Sequence, residues 1–278
     1  MKCLLIFAAF FMFAACAQTK GAGADYTISP GEIRIVEFPK VENAKVFCRE
    51  LEIKSAVVEN QLRVVVVDSY FSDLEPFTCR VEAAGKTVHQ IRFAVEKREY
   101  KAERLKVDQK KIKLASKDEE RVWREQKILD KIYGSSVPEF FFKEGFMEPM
   151  NSFVTSIYGT KRIYNNQKHG QHLGIDYRAA VGEKVPAAGS GKIVFSGDLF
   201  YTGWTVIIDH GMDIFSVYGH LSKTLVKDGD MIKRGNLIGL SGATGRVSGP
   251  HLHWGVKIQG QYMDGMSVIS ETKKIFKE

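Results

Sequence analysis

Cysteine is scarce in this chain, with four in 278 residues, and neither a C-x-x-C pair nor a cysteine–histidine cluster occurs. Thiolate ligation of a metal is therefore not expected. An H-E-x-x-H pair is also missing, which excludes a helix-borne zinc site with a neighbouring glutamate base. The glycine-rich run Gly239 to Gly249 lacks the Lys-Ser/Thr ending of a phosphate-binding loop, so nucleotide chemistry is not expected there. Long apolar runs are confined to Leu4–Ala15, too short to span a bilayer in the usual way. Beyond Phe140 no long helical pattern interrupts the strands.

What is present begins with that apolar run. Lys2 precedes it, and small residues followed by Gln18-Thr19-Lys20 come after it, the layout of a secretory signal peptide over residues 1–17. Phe13-Ala14-Ala15-Cys16 resembles a bacterial lipobox, with Phe13 where an aliphatic residue is usual. Cleavage before Cys16 would leave a lipidated, membrane-anchored cysteine, whereas Ala15-Cys16-Ala17 suits ordinary cleavage after Ala17. Both routes place the mature protein outside the cytosol, in the periplasm or cell envelope or secreted.

Export changes how the cysteines read. Cys3 and Cys16 belong to the leader, which leaves Cys48 and Cys79, both in strand-like stretches. In an oxidising compartment a disulfide between them is expected, with two buried free thiols as the alternative. A formal charge of +7 and a pI near 9.1 favour polyanions. For an exported protein these are cell wall or an anionic membrane surface, and no nucleic-acid partner is expected.

The length makes two domains the natural expectation, mainly β in class. Residues 25–100 carry short β runs, Gly31–Phe38, Gln61–Val67 and His89–Val95, whose alternation predicts a small sandwich-like accessory domain without a catalytic constellation. Residues 101–140 read as a charged helical linker. It includes Lys110-Lys111-Ile112-Lys113, a capping box at Ser116-Lys117-Asp118-Glu119, and an apolar stripe through Val122, Trp123, Leu129, Ile132 and Tyr133. Residues 141–270 turn to glycine and β-branched residues, predicting an antiparallel sheet with active residues on one face and at loop ends.

Six of the seven histidines lie between His169 and His253. In His251-Leu252-His253 the two imidazoles share one strand face, while Leu252, Trp254, Val256 and Ile258 take the other. His172 and Asp176 also share a face, but four residues of straight strand cover about 13 Å at ~3.3 Å each, slightly long for one ion. Gly174 between them can bend the chain and adds no side chain. With His220 in Tyr218-Gly219-His220-Leu221, these residues supply the nitrogen and carboxylate ligands that zinc takes, three of them leaving a position for water. The spacing alone does not choose between His251 and His253.

The order of these motifs resembles the LytM/lysostaphin-type zinc metallopeptidases, β-rich endopeptidases acting on bacterial peptidoglycan. The resemblance runs from about Ser152 to Val268 through Ser156-Ile157-Tyr158-Gly159, His172–Asp176, Ile208-Asp209-His210-Gly211, Tyr218–Leu221, Gly239–Gly245 and Gly249–His253. It implies that His172, Asp176 and His253 bind one Zn2+, that His220 and His251 flank it as catalytic histidines, and that the substrates are peptidoglycan stem or cross-bridge peptides. A monomer is expected. The family pattern often places Asp-Pro after the last strand, where this chain has Asp264-Gly265.

Other residues read more blandly. His210 in a turn is expected to be structural, His169 a loop residue, and Tyr164 either a hydroxyl donor to the reaction intermediate or surface packing. Two other functions are compatible with the chain. One is a catalytically silent wall-binding activator of other hydrolases, which lost ligands would mark; all five positions are filled here. The other is a carrier domain, since Lys227–Gly235 resembles biotinyl/lipoyl hairpins, but a carrier has no need of the histidines.

Overall fold

The computed structural model describes residues 24–105, 115–165 and 168–276. The leader, with Cys16, and the basic run Lys110–Lys113 lie outside the described residues.

The expected β class is what the chain adopts. Near the N-terminus, a five-stranded sheet runs in the order Tyr26–Ile28, Lys86–Val95, Phe77–Ala83, Lys45–Cys48 and Leu51–Ile53. A three-stranded sheet, Ile33–Pro39, Gln61–Val67 and Ser55–Val58, faces it. Val36, Leu62, Val64, Val66, Val81 and Phe93 meet in the core between them. The run Val64-Val65-Val66 is buried on both sides because its strand serves two cores: Val65, with Ile33, belongs to the core of the C-terminal part. Gln259 Nε2 donates to Val65 O at 2.7 Å from that part.

Cys48 and Cys79 stand opposite each other on adjacent antiparallel strands, both buried, and form a disulfide. It closes a loop with a sequence separation of 31. Replacing both cysteines with alanine is expected to cost about 3–4 kcal/mol by the loop-entropy relation, read as a lower urea midpoint with an intact peptidase region. An unchanged midpoint would contradict a structural role for the bond.

The connector is not helical throughout. Ala102–Leu105 is a strand, pairing in parallel with Lys161–Tyr164, and among the described residues of the connector the helix is Ser116–Tyr133 (α1). Nor does the expected capping box form. Ser116 already lies inside the helix, Ala115 is the N-cap, and no side chain caps the turn. The cap is backbone alone, with the N–H groups of Asp118 and Glu119 donating to Ala115 O. Leu129, Ile132 and Tyr133 pack on Ile207, Phe215 and Val217, whereas Trp123 from the predicted stripe faces solvent.

The C-terminal part is built on a ten-stranded sheet. Its main path runs Val154–Ser156, Ile175–Arg178, His251–Ile258, Ile214–Thr224, Gly203–Asp209, Gly191–Leu199 and Met231–Ile232. Lys184–Pro186 and Leu237–Ser241 form a flanking pair, and Gln261–Met263 turns back on His251–Ile258. A helix that the sequence reading lacked, Gly265–Phe276 (α2), ends the described chain beyond the expected limit at 270. Asp264 starts it by accepting from Met266 N at 3.0 Å, and Gly265 lies against the Trp254 indole where a Cβ would clash. Ser267 Oγ and Glu271 Oε2 on α2 accept from Ile33 N and Ile35 N of the first part, so this helix fills the seam between the two cores.

Candidate active site

Register sets the site. Asp176 stands opposite His253, and His253 stands opposite Gly219 on its other neighbour, so three adjacent strands bring Asp176, His253 and the Gly219-His220 step into one row. Along His251–Ile258 the burial alternates as strand geometry requires: Leu252, Trp254, Val256 and Ile258 are buried while His251 and His253 stay partly open.

Gly174 bends the chain between His172 and the strand that begins at Ile175, bringing His172 Nε2 to 2.9 Å from Asp176 Oδ1. It also makes room. A Cβ at Gly174 would sit 2.7 Å from His253 Nε2 and 2.9 Å from Trp254 O, and closer still to His253 Cε1. His253 Nδ1 lies 2.8 Å from Asp176 Oδ1 and 3.2 Å from His172 Nε2. One ligand atom from each of His172, Asp176 and His253 thus falls within 4.8 Å of the others.

The protonation pattern follows from the partners. His172 Nδ1 faces Ile157 O at 3.3 Å and Ser156 Oγ at 3.0 Å, and a carbonyl can only accept, so the ring proton belongs on Nδ1. Its Nε2 then turns a lone pair toward a carboxylate oxygen. Burial lowers the His172 pKa, against the opposing pull of Asp176. Burial alone would raise Asp176, but hydrogen bonding and charge from His172 and His253 outweigh it and hold the carboxyl well below its usual range. Converging lone pairs of two imidazoles and a carboxylate fit a divalent cation of the zinc type.

His220 and His251 stand beside this group, with ring centroids 4.7 Å apart, and His251 Nε2 is 3.6 Å from Asp176 Oδ1. His220 Nδ1 donates to Thr244 O at 2.8 Å and His251 Nδ1 to Gly249 O at 2.9 Å, which leaves each Nε2 with a lone pair. Burial pushes His220 down to about 4, so its imidazole is neutral at pH 7. His220 reaches the site through an irregularity in the ladder: its backbone is left-handed (φ 61), its N–H donates to Thr202 O at 2.6 Å, and the register with Gly203–Asp209 shifts between Trp204 and Val206. A bulge of this kind re-aims one side chain out of the sheet.

The remaining predicted residues lie elsewhere or play other parts. His169 is exposed on the strand Lys168–Gln171, and Tyr164 lies over Gly170 on the same hairpin. His210 is fully buried, with Nδ1 on Ser190 O at 2.8 Å and Nε2 on Ser216 Oγ at 2.7 Å. Burial pushes His210 down to about 4, partly opposed by the Ser190 carbonyl. The fold therefore favours neutral His210, and this stabilisation is complete above the ordinary pKa and lost as pH falls from ~6.5 toward 4. In chelator, His210→Gln is expected to remove about 3 kcal/mol of the stability change between pH 7 and pH 4, read from urea midpoints. Identical pH slopes in the two proteins would contradict this.

Sequence reasoning missed Arg162. Its Nη2 donates to Asp176 Oδ2 at 3.2 Å and to Ser156 Oγ at 3.1 Å. Nothing in the local pattern Lys161-Arg162-Ile163 marks it, because the contact depends on where the hairpin lands.

Residues 170–265 match the model of peptidase family M23. The chain is 39% identical over 114 residues to the peptidoglycan DD-endopeptidase ShyA of Vibrio cholerae, covering 41% of this chain and 26% of that protein. It is 38% identical over 104 residues to the DD-carboxypeptidase/endopeptidase Mpg of Neisseria meningitidis, covering 37% of this chain and 24% of that protein. The chain thus spans about a quarter of the length of these curated relatives. A Pseudomonas aeruginosa crystal structure with a provisional peptidase M23 assignment superposes with a TM-score of 0.69 at 26% identity, covering 87% of this chain and 95% of that one. Motif order, the cluster of imidazoles and carboxylate, and these similarities agree, and residues 170–265 of the chain form a domain similar to peptidase family M23.

Proposed function

We propose that this protein is an exported zinc metalloendopeptidase that hydrolyses peptide bonds in peptidoglycan stem or cross-bridge peptides, in the periplasm or cell envelope. The observation that carries the reading is the approach of His172, Asp176 and His253 ligand atoms to within 4.8 Å, with two further histidines alongside. Export rests on the sequence around Leu4–Ala15, and anchoring through a lipidated Cys16 is one form it takes. The peptidoglycan peptide is suggested by what the relatives ShyA and Mpg are named for.

His172, Asp176 and His253 would hold one zinc ion. Bound there, zinc supplies an acidified water, with a pKa near ~7, and polarisation of the scissile carbonyl. The protein's own groups do the rest. The Nε2 lone pairs of His220 and His251 accept the proton of the attacking water, stabilise the oxyanion once protonated, and deliver a proton to the leaving amine. The carbonyls of Thr244 and Gly249 hold both rings in the tautomer that these steps need.

Digestion of purified sacculi by the zinc-loaded protein, followed by mass analysis of the fragments, tests this. New amine and carboxyl ends within muropeptides are expected, and His220→Ala is expected to slow their release by about 10²–10⁴. Uncleaved muropeptides alongside stimulation of a second hydrolase would replace the enzyme with a silent activator. Hydrolysis of other peptides but not muropeptides would overturn the substrate.

A further inference from the structure

Arg162 is neither ligand nor proton carrier in the reading above, yet it reaches two of the three proposed ligands. Asp176 turns Oδ1 toward His172 and His253, and its other oxygen, Oδ2, accepts from Arg162 Nη2 at 3.2 Å. A carboxylate held at both oxygens cannot swing about its Cβ–Cγ bond. The same Nη2 donates to Ser156 Oγ at 3.1 Å, and that hydroxyl lies 3.0 Å from His172 Nδ1. One guanidinium therefore restrains a carboxylate directly and an imidazole through one hydroxyl.

The strand that carries Arg162 does not belong to the large sheet. Lys161–Tyr164 is the central strand of a separate three-stranded sheet, flanked by Lys168–Gln171 and by the connector strand Ala102–Leu105. Arg162 is in register with Glu103, and Lys161 N donates to Lys101 O at 2.8 Å. The sheet that aims the guanidinium is thus completed by chain from outside the family-matched residues 170–265.

We propose that Arg162 is a positioning residue for the metal ligands and that the connector strand Ala102–Leu105 holds it there, so that metal affinity depends on a segment remote in sequence from every ligand. The proposal rests on the zinc reading. It deepens that reading by making the connector's pairing a determinant of how tightly the ion is held.

Zinc dissociation constants of the full chain, measured by chelator competition, test it. Arg162→Gln is expected to weaken zinc binding by about 10–100-fold, the usual effect of losing an outer partner of a ligand. Arg162→Lys should recover part of this loss, since an ammonium can reach both oxygens but lacks the planar fork. Excess zinc should restore most of the turnover of Arg162→Gln, with KM for the peptide little changed. Glu103→Pro, which places a residue without an N–H in register with Arg162, should weaken zinc in the same direction with every ligand intact.

Wild-type zinc affinity in Arg162→Gln, or a raised KM without a change in affinity, overturns the positioning role. Wild-type affinity in Glu103→Pro overturns the connector's part and is readable even if an Arg162 variant fails to fold. A wild-type protein that binds no zinc would instead sink the functional reading itself.

Discussion

Asp176→Ala is expected to leave the protein with almost no bound zinc and to lower muropeptide hydrolysis by about 10³–10⁴, the loss that follows when several kcal/mol of transition-state stabilisation depend on one site. Asp176 has this weight because it is the only carboxylate in the cluster identified among the described residues, and both imidazoles turn toward its Oδ1. Without it, His172 Nε2 and His253 Nδ1 face each other 3.2 Å apart with no anion to balance a dication. The fold should survive. Asp176 sits at the edge of the imidazole row rather than in the apolar core, and Arg162 remains partly exposed to water once its partner is gone. Elemental analysis of the purified variant, beside its circular dichroism and fragment release from sacculi, measures all three. A variant that keeps one zinc per chain and wild-type turnover would refute the assignment.

Gly174→Ala is the second large effect, and it would disturb the proposed metal site without replacing a ligand. The added methyl would lie 2.7 Å from His253 Nε2 and 2.9 Å from Trp254 O. The carbonyl belongs to His251–Ile258, a strand paired on both sides, and cannot yield, so the imidazole must rotate away from Asp176. Zinc affinity is expected to fall by about a hundredfold, at least the upper end of what outer-shell changes produce. Overpacking should destabilise the protein by about 1–3 kcal/mol. Chelator competition and thermal unfolding separate the two effects. If Gly174→Ala holds zinc within a few-fold of wild type, then His253 does not depend on the bare backbone it lies against.

The two substitutions differ in what the sequence could announce. The spacing His-x-Gly-x-Asp already marks the acid and the bend, and His-x-His marks two imidazoles on one strand face. What spacing could not decide is which of His251 and His253 turns to Asp176. That follows from register, which places Asp176 directly opposite His253 and Arg178 opposite His251.

Local pattern alone determined a good deal about this protein: the β class, the alternation that buries Leu252, Trp254, Val256 and Ile258, the candidate ligands, and the conversion of the first part into paired short strands. These are properties of neighbours along the chain, and periodicity reports them. The tertiary structure alone decided the rest. His220 enters the site through a left-handed residue and a register shift. Arg162 arrives on a hairpin steadied by Ala102–Leu105, a stretch that charge and composition had assigned to a helix. Val65 is buried because a second core lies behind its sheet, and α2 forms where Asp264 can cap it and Trp254 leaves space only for glycine. Apart from the local cap and the Trp254 contact of α2, these depend on contacts between segments tens to hundreds of residues apart, and such contacts leave no period in the sequence for a local reading to detect.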